Sequence, residues 1–399
     1  MATRLERISA RGSAFLMTLV VLIAAVGALA AESDGEKPPK GYVRLFNGVN
    51  LDGWWAPVGA IEPVWEVKDG VLCGRKKGEG APALYTRKTY ENFILELDYK
   101  IAKHGNSGVF IHAPWIGRQS RTGFELQIID DYGKKPFKGS TGAVYDVVPP
   151  RVNASKPAGE WNHYKIEMNY PTLRVWLNGK KIQDLNFADH PVLRFRFRDG
   201  YIGLQRHGSN VWFRRIWIKE LPGKVKWDTL ARDPGLERWV VEGSANWQVN
   251  GDVLLATGGE GWLVSKQTFD TYELQGYLKK VDHSPGEIWY RWVNAQDPGY
   301  VAELYGFRPF RKLCDFYNAY HPFPWWIVPP FKHSWLPVQV ISYGPFSEVR
   351  INGVIVKRVL NHNRIRPGKI ALHFYGGQDA FELKGLRIRK LGPEERNIP

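Results

Sequence analysis

From about residue 41 onward, apolar and polar side chains alternate in short runs instead of recurring every three or four positions. Runs over 64–72, 92–101, 108–112, 124–129, 163–168, 173–177, 201–205 and 211–218 are rich in β-branched and aromatic residues and are predicted as strands. Turn signals separate them: Lys68-Asp69-Gly70, Asn106-Ser107-Gly108 and Asn178-Gly179. An Asn-Gly pair between two such runs marks a hairpin, because both central turn residues need positive φ. Leu173 to Ile182 is the clearest example. No long stretch beyond the first thirty residues keeps a helical period, and regularly spaced short strands predict a β-sandwich.

The second half of the pattern repeats the first. Trp65-Glu-Val-Lys-Asp-Gly-Val-Leu72 matches Trp247-Gln-Val-Asn-Gly-Asp-Val-Leu254, with its two middle residues exchanged. Leu84 to Phe93 matches Leu263 to Tyr272 without a gap, and Val109 keeps the same offset to Ile288. Further on, Leu177-Asn-Gly179 recurs as Ile351-Asn-Gly353, Gly200 to Leu204 as Gly368 to Leu372, and Trp161 as Trp335. The break falls at Leu221-Pro-Gly-Lys-Val225, a composition suited to a linker. Segment 305–335 differs between the halves: it is crowded with aromatics and with Pro322, Pro324, Pro329 and Pro330. Such a loop is either a lid packed on its own sheet or a ligand or partner surface.

Arg4, Arg7 and Arg11 precede an apolar run from Phe15 to Ala30, and Ala28-Leu29-Ala30 has the small-x-small form of a cleavage site. This reads as an export signal, with an uncleaved anchor as the alternative. No other apolar run is long enough to span a bilayer. The expected organisation is a signal peptide over 1–31, a linker over 32–40, a β-sandwich over 41–221, a linker over 222–226, a degenerate repeat sandwich over 227–391 and a tail over 392–399. The product is expected to be periplasmic or secreted.

Composition refines this picture. The chain holds 17 Trp and 14% aromatic residues, which suits both β-sheet packing and stacking on the flat C–H faces of sugars. The net charge of +15 is scattered along strands, so nucleic acid is not an expected partner. Cys73 and Cys314 fall in different halves and in no metal-binding pattern. No metal or other cofactor is expected, and sequence alone does not establish whether the two thiols pair.

Alternation also locates candidate chemistry, since every second strand residue shares a sheet face. Glu125 and Gln127 point away from Phe124, Leu126 and Ile128. His112 is expected to point away from Val109 and Ile111, and Gln205 and His207 share a face if their strand persists. On a concave sheet these five would converge in a groove. In the second half His112 becomes Arg291, Glu125 becomes Val301, Gln127 becomes Glu303, and Gln205 and His207 become His373 and Tyr375. The second half is therefore not expected to perform the same chemistry. Asp130 lies at odd separation from Glu125, so a two-carboxylate glycosidase pair needs a bulge between them.

Several motifs occur in one order: Gly41 to Trp54, Trp65 to Leu72, Gly105-Asn-Ser-Gly-Val-Phe-Ile111, Gly123-Phe-Glu-Leu-Gln-Ile-Ile-Asp130, Thr141-Gly-Ala-Val-Tyr145, Gly159-Glu-Trp-Asn162 and Gly203-Leu-Gln-Arg-His-Gly208. Together they resemble the 3-keto-disaccharide hydrolase family, also described as a 3-keto-glucoside 1,2-lyase and 3-keto-2-hydroxy-glucal hydratase domain. The resemblance covers 41–221, with a weak copy in the second half. It implies an all-β, concanavalin A-like (jelly-roll) sandwich with one concave sheet, and a carbohydrate or 3-keto-glycoside substrate. It also implies a reaction in which a C3 ketone acidifies the C2–H, a base removes that proton, and the C1 aglycone departs before water adds. Under that reaction Glu125 or His112 is the candidate base and His207 the acid. Gln127 and Asn162 are oxyanion or hydroxyl ligands, and Asn106, Gln205, Tyr145 and Trp161 complete the substrate set. A lectin-like sugar-binding module and an ordinary glycoside hydrolase are the competing functions.

Overall fold

The protein is described by a computed structural model that covers residues 37–232, 235–279, 286–294, 300–302, 335–360 and 367–396. It is all-β, with two sandwiches of concanavalin A-like, jelly-roll type in tandem. The strands up to Leu221 form an eight-stranded and a five-stranded sheet; those from Asp228 onward form a third, of eleven. All pairings in the named strands are antiparallel.

In the first half the five-stranded sheet runs Trp54–Trp55, Ala83–Tyr90, Gly200–Gln205, Asn106–Ala113, Phe124–Ile129. The eight-stranded sheet is centred on Asn92–Ile101, flanked by Asn162–Asn169 and Val211–Leu221. Alternation does what the pattern predicts. Val109, Ile111, Leu126, Ile128, Ile202 and Leu204 from one sheet meet Phe93, Leu95, Leu97, Ile166 and Phe213 from the other in a sealed apolar core. The predicted run over 64–72 is two strands, Trp65–Lys68 and Val71–Gly74. Asp69 (φ 50°) and Gly70 (φ 75°) make the turn between them, in the left-handed region that such a reversal requires.

In the second half the long Val253–Ser265 strand changes partner along its length. It pairs with Gly377–Lys390 through Val253 to Gly258, then with Lys369–Phe374 through Gly261 to Val264. The ladder thereby wraps one core, which includes Leu254, Leu274, Val340, Leu372 and Leu383.

The two halves share one irregularity. Gly203 pairs with Phe110 but Tyr201 pairs with Ala113, so the Asn106–Ala113 strand carries a bulge, with His112 at φ 52°. In the second half Ala371 pairs with Trp289 and Lys369 with Trp292, and Arg291 sits at φ 55°. Opposite each bulge is a glycine: a Cβ on Gly200 or Gly368 would lie 2.4 Å from the carbonyl carbon of His112 or Arg291. The Asn-Gly turns also recur, with φ of 50° and 80° at Asn178 and Gly179 and of 51° and 75° at Asn352 and Gly353.

Buried polar contacts join the halves. Arg387 pairs with Asp199 at 2.9 Å, and Glu395 accepts from both Arg198 (3.1 Å) and Arg389 (2.7 Å). Segment 222–226 is held to the first half, where the Glu91 carboxylate accepts from the backbone N–H groups of Lys224 and Val225. Residues 1–31, Cys314 and the aromatic segment up to residue 334 lie outside the described residues, and Cys73 is buried.

Candidate active site

The face of the five-stranded sheet turned away from the core carries the candidate site. Its residues come from every strand: Trp55, Tyr85, then Tyr201, Gly203 and Gln205, then Asn106, Gly108 and Phe110, and finally Glu125 and Gln127. Phe110 pairs with Glu125 and Gly108 with Gln127. The two glycines make room. A Cβ on Gly108 would lie 2.6 Å from Glu125 Oε1, and one on Gly203 would lie 2.7 Å from the Tyr85 ring. Tyr85 and Tyr201 stack with centroids 5.8 Å apart, and Trp55 meets both edge-on, so one side of the face is an aromatic wall.

Glu125 is 4% exposed. Burial pushes its carboxyl up to about 7, against the opposing pull of Arg118 and of a hydrogen bond from Gln205. Around it, Gln127 Oε1, Gln205 Oε1 and Asn106 Oδ1 are buried and have no hydrogen-bond partner among the described residues. Buried acceptors left this way cost roughly 1–3 kcal/mol each unless a ligand supplies donors. Hydroxyl groups are such donors.

Segment 114–122 covers this face and includes the short helix Gln119–Thr122, which alternation did not predict. It brings Arg118 within electrostatic reach of Glu125, and Gln119 toward Tyr85. Tyr145 stands next to the site. Its backbone N–H donates to the Glu125 carbonyl (2.9 Å), and its side chain is within electrostatic reach of Arg118.

Glu125, Gln127, Gln205 and Asn106 thus come together as expected, with Tyr145 adjacent. Four other expected residues do not join them. His112 is turned over by the bulge, because a left-handed residue inverts the strand's alternation. Its ring packs on Phe93 and Phe124 of the core, with Nδ1 2.8 Å from the Phe197 carbonyl and Nε2 2.7 Å from that of Glu91. Burial holds its pKa below the usual histidine range. Asn162 lies on the eight-stranded sheet, where its Oδ1 accepts from the Lys156 N–H and from Asn178 Nδ2. Neighbouring Trp161 is a platform for Arg214 (4.1 Å) and Lys100 (5.0 Å). His207 is exposed, just past the end of the Gly200–Gln205 strand. Asp130 also lies past its strand, and its Oδ2 accepts from the His104 N–H.

Sequence reasoning missed Arg118, the Tyr85–Tyr201 wall and the two glycines of the floor. The tyrosines keep the period-2 register and were legible in principle; Arg118 carries no local signal. The corresponding face of the second half is filled. Glu287 stands at the place of Gly108 and Trp262 at that of Ala83, and the Trp262 ring stacks on His373 at 4.0 Å. Glu303 and the Val301 side chain lie outside the described residues.

Flat aromatic rings beside buried amide acceptors are the side-chain types that sugar sites use, here on a face where Tyr85 and Phe110 are buried. The first half is accordingly a carbohydrate-active β-sandwich. Its residues 41–219 match the model of the 3-keto-alpha-glucoside-1,2-lyase-like domain. A 3-keto-disaccharide hydrolase of Bacteroides thetaiotaomicron is 26% identical over 243 residues, covering 48% of this chain and 83% of the relative. Two crystal structures from Parabacteroides distasonis, each described as a candidate glycosyl hydrolase, are 29% and 31% identical. They cover 46% and 45% of this chain and 95% and 99% of their own, with TM-scores of 0.40 and 0.38.

Proposed function

We propose that the first half cleaves 3-keto-glucosides by elimination followed by hydration, with Glu125 as the base. The supporting observation is one buried carboxyl, held at about 7, on a sheet face where three amide oxygens lack partners. A ketone at C3 acidifies the C2–H of the sugar. Glu125 takes that proton, electron density moves onto the C3 oxygen, and the C1–O bond to the aglycone breaks as the double bond forms. Arg118 supplies positive charge near the developing enolate. Protonated Glu125 can then return its proton to the departing oxygen, since exposed His207 does not share the buried face. Water adds across the double bond, so the net change is hydrolysis.

Asp130 is engaged by the His104 turn, and a retaining glycosidase pair needs two carboxyls about 5–5.5 Å apart. This favours elimination over double displacement. We further propose that the protein acts after export, under the signal read at residues 1–31, and that the two halves arose by duplication. The recurrent bulge and Asn-Gly turn support the latter.

Incubation with 3-keto-trehalose or another 3-keto-glucoside is expected to release free 3-keto-glucose, and Glu125→Gln to abolish that release. Binding of plain and oxidised sugars alike, with no turnover of either, would instead favour a lectin-like role.

A further inference from the structure

The Arg118-bearing segment is held largely from outside its own domain. The Arg118 backbone N–H donates to Asn352 Oδ1 (2.5 Å), and the Trp115 backbone N–H donates to the Tyr277 hydroxyl (3.0 Å). The Trp115 ring packs against Tyr277 and Trp335, with the Lys384 ammonium 5.2 Å from its centre. Gly117 and Gly353 permit the closest approaches. A Cβ on Gly117 would lie 2.7 Å from Pro337, and one on Gly353 would lie 2.4 Å from the Arg121 backbone.

The two Asn-Gly turns show how this grip becomes available. In the first half Asn178 serves its own sheet: its Oδ1 accepts from the His163 N–H, and its N–H donates to the His163 carbonyl. In the second half the N–H of Asn352 donates to the carbonyl of Pro337, at the position that corresponds to His163. Proline has no N–H to return the second bond. The Asn352 side chain, buried and at φ 51°, therefore has no donor in its own ladder at that position, and it takes the N–H of Arg118.

We propose that the second sandwich, which has lost the polar set of the first, is a positioning element for the first half's site. Asn352 and Tyr277 hold the 115–118 segment so that Arg118 stays within electrostatic reach of Glu125. This rests on the functional reading above for its consequence in turnover, but not for its geometry. The groups that act on Glu125 are Arg118 from this segment, Gln205 from two strands away across Gly108 and Tyr85 beyond it, with Asp146, Arg121 and Tyr145 acting on Arg118. Loosening the segment moves Arg118, the cation that acts on Glu125.

The test is direct titration of the Glu125 carboxyl by carbon NMR in the full chain, assigned by its loss in Glu125→Gln, with no substrate present. Asn352→Gly keeps the left-handed turn and removes the acceptor; Tyr277→Phe keeps the ring and removes the hydroxyl. Each is expected to raise the Glu125 titration by roughly half a pH unit. With a 3-keto-glucoside, turnover at neutral pH should fall by at least about twofold and recover only in part in alkaline buffer, because the displaced Arg118 also stabilises the enolate less well. A lowered melting temperature with an unmoved titration in both variants would overturn the proposal. If the titration moves but the wild type releases no 3-keto-glucose, the functional reading fails and the positioning role stands.

Discussion

Glu125 lies folded against Gly108 on the adjacent strand, close enough that a single methyl group on that glycine would meet its Oε1 at 2.6 Å. The carboxyl's position thus depends on the absence of a side chain one strand away. Gly108→Ala is expected to displace the carboxyl and cut turnover by at least about tenfold, while overpacking costs only about 1–3 kcal/mol of stability. Steady-state rates beside a thermal melt separate the two effects. Wild-type turnover in this variant would show that the carboxyl needs no such seat.

The rate should depend on pH in one direction. A base must be ionised to accept the C2 proton, and burial has pushed Glu125 up to about 7. Turnover per KM is therefore expected to rise through about pH 7 with a slope of one proton. A profile already flat from pH 5 would assign the base elsewhere.

Stability should run the opposite way. The folded-state pKa of Glu125 lies above its ordinary value of 4.5, so the folded protein holds this proton more tightly than the unfolded chain. Its favourable contribution is present at low pH and is lost as pH rises from 4.5 through about 7, a cost of about 3 kcal/mol above that range. Glu125→Gln removes the charge, so it should abolish turnover and raise the melting temperature at pH 8 but not at pH 4. Equal melting shifts at both values would contradict a buried, reluctant carboxylate.

Gln127 and Gln205 should separate kinetically. Gln127 offers an unpartnered oxygen and is not among the groups that shift Glu125, so Gln127→Ala is expected to raise KM and leave the pH profile in place. Gln205 also donates to Glu125, so Gln205→Ala should move the ascending limb upward as well. Identical profiles for the two variants would argue against that hydrogen bond.

His112 is predicted to matter for folding. Its ring lies against two buried carbonyls, and as a neutral imidazole it donates to one of them, a partner whose loss costs roughly 1–3 kcal/mol. His112→Asn, which tolerates positive φ, is expected to lower the melting temperature markedly while the folded fraction keeps the wild-type pH profile. An abolished reaction in a stably folded variant would return His112 to the site.

The alternating pattern was enough for the sandwich, for the Asn-Gly hairpin and for the face that bears Glu125, Gln127 and Gln205. These depend on a period of two along single strands, and each is a local property of the chain. His112 shows where the same rule stops. One left-handed residue reverses the side of everything at its position, and nothing in Gly-Val-Phe-Ile-His announces the bulge. The glycine that accommodates it, Gly200, comes from another strand. Asn162 and Trp161 entered through the family resemblance, and the structure puts Asn162 on the other sheet: a motif gives residue types in order, but not which of two sheets a strand joins.

Arg118 and the contacts that hold it were beyond any local reading. Their geometry arises between segments 162 and 234 residues apart, through a tyrosine hydroxyl, a proline that cannot donate and an asparagine that accepts. Strand identity and facing follow from steric preferences acting over a few residues. The protonation of Glu125 and the seat of its cationic neighbour follow from burial and from long-range hydrogen bonds, which exist only once the two sandwiches have packed.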